Sequence, residues 1–171
     1  VTEGEALLAK GSKDLYLYRY LGYAYYENKV KDKAAKKEEH SKGLENIRAF
    51  FKLAEDQGVK TIAKDYGYLG KLMIKTGADS LGFIELKKAL ELKPNDRDLI
   101  TDLAKMYARS KKYEESIVYY KQKEAIDGKL GANDNYMLGR SYYFTKNYPL
   151  ADSTFKKITV SNPKLPLGYL W

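Results

Sequence analysis

No cysteine occurs among the 171 residues, and histidine and tryptophan occur once each. The first absence removes disulfides, thiolate metal sites and cysteine nucleophiles. One histidine, His40, makes neither a catalytic triad nor a metal centre, and its place in a charged tract reads as a solvent-exposed residue. Proline is scarce, at four, and no apolar run approaches the roughly 18 residues that a membrane span needs. The chain opens on Val1 with neither a methionine nor a charged-then-apolar signal pattern, so a cut or processed N-terminus is expected.

Catalytic motifs are missing too. The stretch Gly67 to Lys71, GYLGK, has the wrong glycine spacing for a phosphate loop, and Leu72 stands where Ser or Thr is needed. Glu38-Glu39 and Glu114-Glu115 are adjacent on helical sequence and point to different faces, so they read as solubilising charge. No enzyme, cofactor or metal is expected from these residues.

What is present is 44% hydrophobic and 32% charged sequence, the balance of an ordered, soluble, helical protein. The net charge of +8 is compatible with acidic proteins, nucleic acid or anionic surfaces and does not choose among them. Tyrosine is abundant, at 17 residues, and its positions recur.

Tyr68-Leu69-Gly70 and Met137-Leu138-Gly139 start two segments that match at fixed offsets. Each glycine is followed by a large residue (Met73, Tyr142), a small one (Gly82, Ala151), then Leu86 or Phe155, Ala89 or Ile158, and Pro94 or Pro163. A third copy runs through Leu103-Ala104, Tyr107, Tyr113, Ser116 and Tyr120, with Gly128 where the proline would stand. A fourth begins at Tyr18, Leu21-Gly22 and Tyr25. Glycine inside a helix costs roughly 0.5–1 kcal/mol against alanine. Its recurrence resembles the small-residue pattern of the tetratricopeptide repeat, which implies backbone contact between paired helices, with Gly22, Gly70, Ala104 and Gly139 on the first helix meeting Gly82, Ser116 and Ala151 on the second. Pro149 falls in the first turn of a second helix, where it is tolerated. The tyrosines at packing positions read as core, with hydroxyls reaching the edge.

This pattern resembles the tetratricopeptide repeat, a 34-residue pair of antiparallel helices. The resemblance implies an all-α fold, a right-handed superhelical solenoid of about four repeats with partial flanking helices. The expected repeats are 15–62, 63–96, 97–131 and 132–165. Residues 1–14 read as the end of a preceding repeat helix, packed through Leu7 and Leu8, and 166–171 as the start of a truncated fifth repeat. The chain is thus expected to be a fragment of a longer array, with exposed terminal helices that could support oligomerisation.

Repeat one is about 14 residues long in excess, and the excess lies at about 28–43. That insert, NKVKDKAAKKEEHSKG, carries six lysines and three acids and favours helix. Both helices of repeat one are expected to lengthen into a projecting arm, a mobile loop being the alternative. Ile47, Phe51 and Ala54 are the expected second-helix contacts.

The resemblance also implies where a partner binds, on the concave face lined by first helices. Carried over position by position, the contact residues are Tyr16, Arg19, Tyr23, Tyr26 and Glu27, then Lys64, Gly67, Lys71, Ile74 and Lys75. Repeat three supplies Asp98, Thr101, Lys105, Ala108 and Arg109, and repeat four Asn133, Tyr136, Arg140, Tyr143 and Phe144. Seven are Lys or Arg and five are Tyr, against two acids, which suits an acidic extended peptide or partner protein. The family's carboxylate clamp is not met, since Arg19, Tyr23 and Tyr68 replace its Lys and Asn residues.

The expected function is a non-catalytic protein-interaction scaffold. Binding of nucleic acid or an anionic surface through the lysines ranks below it, because acids are mixed among them and no nucleic-acid motif occurs. A positioning module of a larger enzyme is a further alternative. Cysteine-free, Tyr- and Lys-rich arrays of this style resemble those of bacterial cell-envelope proteins, so the periplasm is expected, with the cytoplasm as the alternative.

Overall fold

The computed structural model describes residues 1–28 and 33–161, all of whose regular structure is helical. The expected fifth repeat at 166–171, and Pro163 at the end of expected repeat four, lie outside the described residues. Helices α1 (Thr2–Ala9), α2 (Leu15–Glu27), α3 (Lys33–Asp56), α4 (Ala63–Thr76) and α5 (Asp79–Leu92) belong to a first compact unit, which ends at Pro94. Helices α6 (Arg97–Arg109), α7 (Tyr113–Asp127), α8 (Ala132–Phe144) and α9 (Tyr148–Ser161) belong to a second, from Asn95 on. Each unit is built of helix pairs: α2 on α3 and α4 on α5 in the first, α6 on α7 and α8 on α9 in the second.

The helix starts follow from sequence. Asp14 caps α2 by accepting from the Tyr16 amide at 2.9 Å, and Asp96 caps α6 by accepting from Asp98 and Leu99. The turns inside three pairs share one closure. Gly77, Lys111 and Lys146 adopt positive φ of 99°, 58° and 61°. The next amides, of Ala78, Lys112 and Asn147, donate back to the carbonyls of Met73, Tyr107 and Tyr142 at 2.8, 2.9 and 2.8 Å. Lysine takes this left-handed conformation twice at a cost that glycine avoids.

Close backbone approach accounts for the helical glycines. A Cβ on Gly70 would lie 2.5 Å from the Gly82 carbonyl oxygen, and one on Gly82 would lie 2.6 Å from that of Gly70. In α6 and α7 the corresponding contact is polar: the Ser116 hydroxyl donates to the Ala104 carbonyl at 2.9 Å, both residues being fully buried. Pro149 lies in the first turn of α9.

The first unit's core gathers Leu15, Tyr23, Leu44, Ile47, Phe50, Ala54, Leu69, Leu72 and Met73. The second unit's core gathers Ala104, Tyr120, Leu130, Leu138, Tyr142, Ala151, Phe155 and Ile158.

Several expectations need correction. Only one helix of the first pair lengthens. α2 stops at Glu27, and Asn28 is extended. The Asn28 side-chain amide donates to Glu39 at 2.8 Å, and Lys36 donates to the Asn28 carbonyl, so the first turns of α3 cap the end of α2. His40 is buried, at 6% exposure, against Tyr26, because it shares the α3 stripe of Gly43, Ile47, Phe50 and Ala54. Phe50, not Phe51, is the fully buried member of that stripe, and Phe51 packs at the edge on Tyr66. In α1, Leu7 is exposed, and the approach to α2 is made by Gly4 against Leu17 and Leu21. Tyr120 is wholly buried and its hydroxyl has no hydrogen-bond partner, so this tyrosine does not reach an edge.

Candidate functional site

In the first unit α2 and α4 lie side by side, and their shared face is made of tyrosines and cations. Helical spacing brings Tyr16, Tyr20, Tyr23 and Tyr26 of α2 to it, and Lys64, Tyr68 and Lys71 of α4. The Tyr23 and Tyr68 rings stack at 4.2 Å, with Tyr20 and Tyr26 edge-on to either side. Lys64 lies over Tyr23 and Tyr68 at 5.1 and 5.9 Å, and Lys71 over Tyr68 and Tyr26 at 5.2 and 5.6 Å. Such cation–ring pairs hold the ammonium heads in place. The Tyr68 hydroxyl donates to Glu27 at 2.8 Å. Tyr16 and Tyr20 present 46% and 61% of their surface to solvent.

Beneath that face lies a buried ionic hub. Asp65 is fully buried and accepts from Arg19 Nε and Nη2 at 2.7 and 2.6 Å, from the Tyr23 hydroxyl, and from the Ile62 amide at 2.7 Å. The two Arg19 bonds form the bidentate fork that suits a carboxylate. The Arg19 guanidinium also lies 4.8 Å from the Phe50 ring centre. Hydrogen bonding to Asp65 holds the Arg19 charge firmly on, and burial pushes the Tyr23 hydroxyl above its usual range. Arg19 and Tyr23 therefore join α2 to α4, and the accessible part of this face is Tyr16, Tyr20, Tyr26, Lys64, Tyr68 and Lys71. Lys75 is exposed on α4, near enough to His40 to oppose its protonation.

In the second unit, Tyr136 and Arg140 of α8 meet, with the Arg140 guanidinium over the Tyr136 and Phe144 rings at 5.8 and 5.7 Å. Tyr143 is half-exposed and touches Phe144 and Tyr148 edge-on. Arg109 is exposed at the end of α6 and Lys105 half-buried within it. A cavity of about 250 Å³ opens between Arg109, Lys111 and Tyr113 on one side and Met137, Arg140 and Ser141 on the other. Of the residues expected at the site it gathers Ala108, Arg109 and Arg140; Lys105 and Tyr143 do not line it.

Asp65, Tyr20 and Lys111 are not singled out by their sequence positions alone, and Tyr68 stands out there as a repeat position and not as a contact residue. A signal for Asp65 exists: Asp134 recurs at the matching place in α8, buried and paired with Lys123 at 2.6 Å. Among the described residues, no group of His, Asp and Glu side chains could hold a metal ion, and no helix is long and apolar enough to cross a membrane.

No protein-family model matches the sequence, and no curated protein does. Solved structures do. The C-terminal part of a TPR repeat-containing protein from Cytophaga hutchinsonii superposes with a TM-score of 0.75 at 26% identity over 99% of this chain. The chain spans 61% of that structure's length. Two structures of MamA match with TM-scores of 0.71 and 0.69 at 16% and 17% identity, covering 98% and 94% of this chain and 83% and 84% of theirs.

Proposed function

We propose that this chain, whose all-helical fold is tetratricopeptide-repeat-like, is a non-catalytic scaffold that holds an acidic, extended segment of a partner protein. The observation that carries this reading is the α2–α4 face of the first unit. It offers exposed Tyr16 and Tyr20, and the ammonium groups of Lys64 and Lys71 poised over tyrosine rings. Aromatic plates bury apolar side chains at small entropic cost, and the lysines beside them attract carboxylates. The buried Arg19–Asp65 pair fixes the two helices that carry these groups. The second unit, taken by itself, carries cations and rings of the same kind in Lys105, Arg109, Tyr136, Arg140 and Tyr143. A bacterial envelope location belongs to this reading as well, and cell fractionation tests it.

The test is capture from an extract of the native host at two salt concentrations. The baits are the wild type and a variant carrying Lys71→Glu, Lys105→Glu and Arg140→Glu. A protein held by the wild type, released by salt and lost by the triple variant is the expected result. An equal catch from both baits would place recognition elsewhere. Nucleic acid in the catch, with affinity falling steeply with salt, would favour a polyanion-binding role instead.

A further inference from the structure

The cavity of the second unit has three cations in its wall and no carboxylate. Arg109 comes from the last turn of α6, Lys111 from the α6–α7 turn, and Arg140 from the middle of α8. Elsewhere in this unit Arg97 pairs with Asp127, Lys123 with Asp134, Lys156 with Asp152 and Lys157 with Glu124, all within 2.9 Å. Arg109, Lys111 and Arg140 make no ion pair with any described carboxylate. Three cationic residues thus border one cavity that no carboxylate lines, and a ligand is the natural source of the missing negative charge.

The Arg140 side chain and the Lys111 backbone are also held in place. Arg140 lies over the Phe144 ring, which stacks at 4.6 Å on Tyr113, itself part of the cavity wall. Lys111 has a left-handed backbone fixed by the Lys111 amide on Ala108 and the Lys112 amide on Tyr107. The equivalent turns use Gly77 between α4 and α5 and Lys146 between α8 and α9, so the turn accepts either residue. The Ser141 hydroxyl donates to the Met137 carbonyl, which leaves the three cations as the wall's charged donors.

We propose that this cavity binds a phosphate monoester. A carboxylate would cancel one of three charges, whereas a phosphate monoester cancels close to two and offers three acceptor oxygens to two guanidinium forks and an ammonium. The Tyr113 ring and Met137 give the carrier an apolar wall. The site deepens the scaffold reading and rests on it for the carrier, a phosphorylated side chain of the partner. A small phosphate monoester is the other source of the same chemistry.

Calorimetric titration of the 171-residue chain at constant ionic strength tests this. The probes are inorganic phosphate, glycerol phosphate, and a phosphoserine peptide with its unphosphorylated twin. Saturable binding of phosphate is expected, weakened at least about fivefold by Lys111→Gly and by Arg109→Gln. Lys111→Gly relieves the left-handed strain, so it should melt no lower than the wild type, and its loss of binding would not be a folding defect. Phosphopeptide bound at least about tenfold more tightly than its twin and than glycerol phosphate supports a partner side chain as source; the reverse order supports a small molecule. No saturable phosphate binding, or equal binding by wild type and both variants, overturns the proposal. Phosphate binding in a chain that captures no partner would sink the scaffold reading and leave the pocket standing.

Discussion

Asp65, fully buried at the start of α4, receives the guanidinium fork of Arg19 from α2 at 2.7 and 2.6 Å. One carboxylate thereby caps the helix on which it sits, by accepting from the Ile62 amide, and ties that helix to its neighbour. Removing one partner of such a pair leaves a buried charge without its counterion. Arg19→Met is expected to destabilise the chain by about 3–5 kcal/mol. Arg19→Met with Asp65→Leu should cost less than the two single changes added together. Urea denaturation of the four proteins measures the coupling, and additivity would contradict the hub.

The helical glycines should differ in their tolerance of a methyl group. At Gly70 the added Cβ meets backbone, the Gly82 carbonyl oxygen at 2.5 Å, which cannot step aside unless the helices part. At Gly139 it meets the Phe155 ring, also at 2.5 Å, and a ring can tilt. Gly70→Ala is expected to cost about 1–3 kcal/mol despite alanine's higher helix propensity. Gly139→Ala should cost less, and thermal melts of the two variants should rank them in that order.

Stability should fall at both ends of the pH scale for stated reasons. Burial first, then Lys36 and Lys75, hold the His40 pKa below its ordinary 6.5. As pH drops through 6.5 the unfolded chain takes up a proton that the folded chain refuses, so this contribution is complete above that pH and shrinks below it. His40→Gln should flatten the change in urea midpoint between about pH 7.5 and 5.5. Burial pushes the hydroxyls of Tyr23, Tyr25, Tyr107, Tyr120 and Tyr142 above 10, so the folded chain keeps protons that the unfolded chain loses. Stability should decline as pH rises past 10, and absorbance of tyrosinate should appear together with loss of helix.

The paired-helix fold was legible because its signals are local. Glycine and small residues recur where the paired helices touch: Gly70 and Gly82 meet backbone to backbone, and Gly139 faces the Phe155 ring. His40 was misread because charge composition outweighed periodicity; its spacing to Gly43, Ile47 and Phe50 already put it on the buried stripe. The Arg19–Asp65 link was hidden for another reason. Its partners are 46 residues apart and meet only once α2 and α4 are packed, although the recurrence of an acid at Asp65 and Asp134 hints at a shared role. The cavity was hidden likewise, since Lys111 lies in a turn and its approach to Arg140 depends on how α8 packs against the preceding pair.

Site-specific photocrosslinking in an extract of the native host tests directly whether the first-helix face meets a partner. A photoreactive residue would replace Tyr20 or Lys64 on the α2–α4 face, or the exposed Arg48 or Lys87 on α3 and α5. A discrete adduct from Tyr20 and Lys64, absent from Arg48 and Lys87, is the predicted result. Adducts from Arg48 or Lys87 alone would contradict the assignment of the first-helix face as the recognition surface.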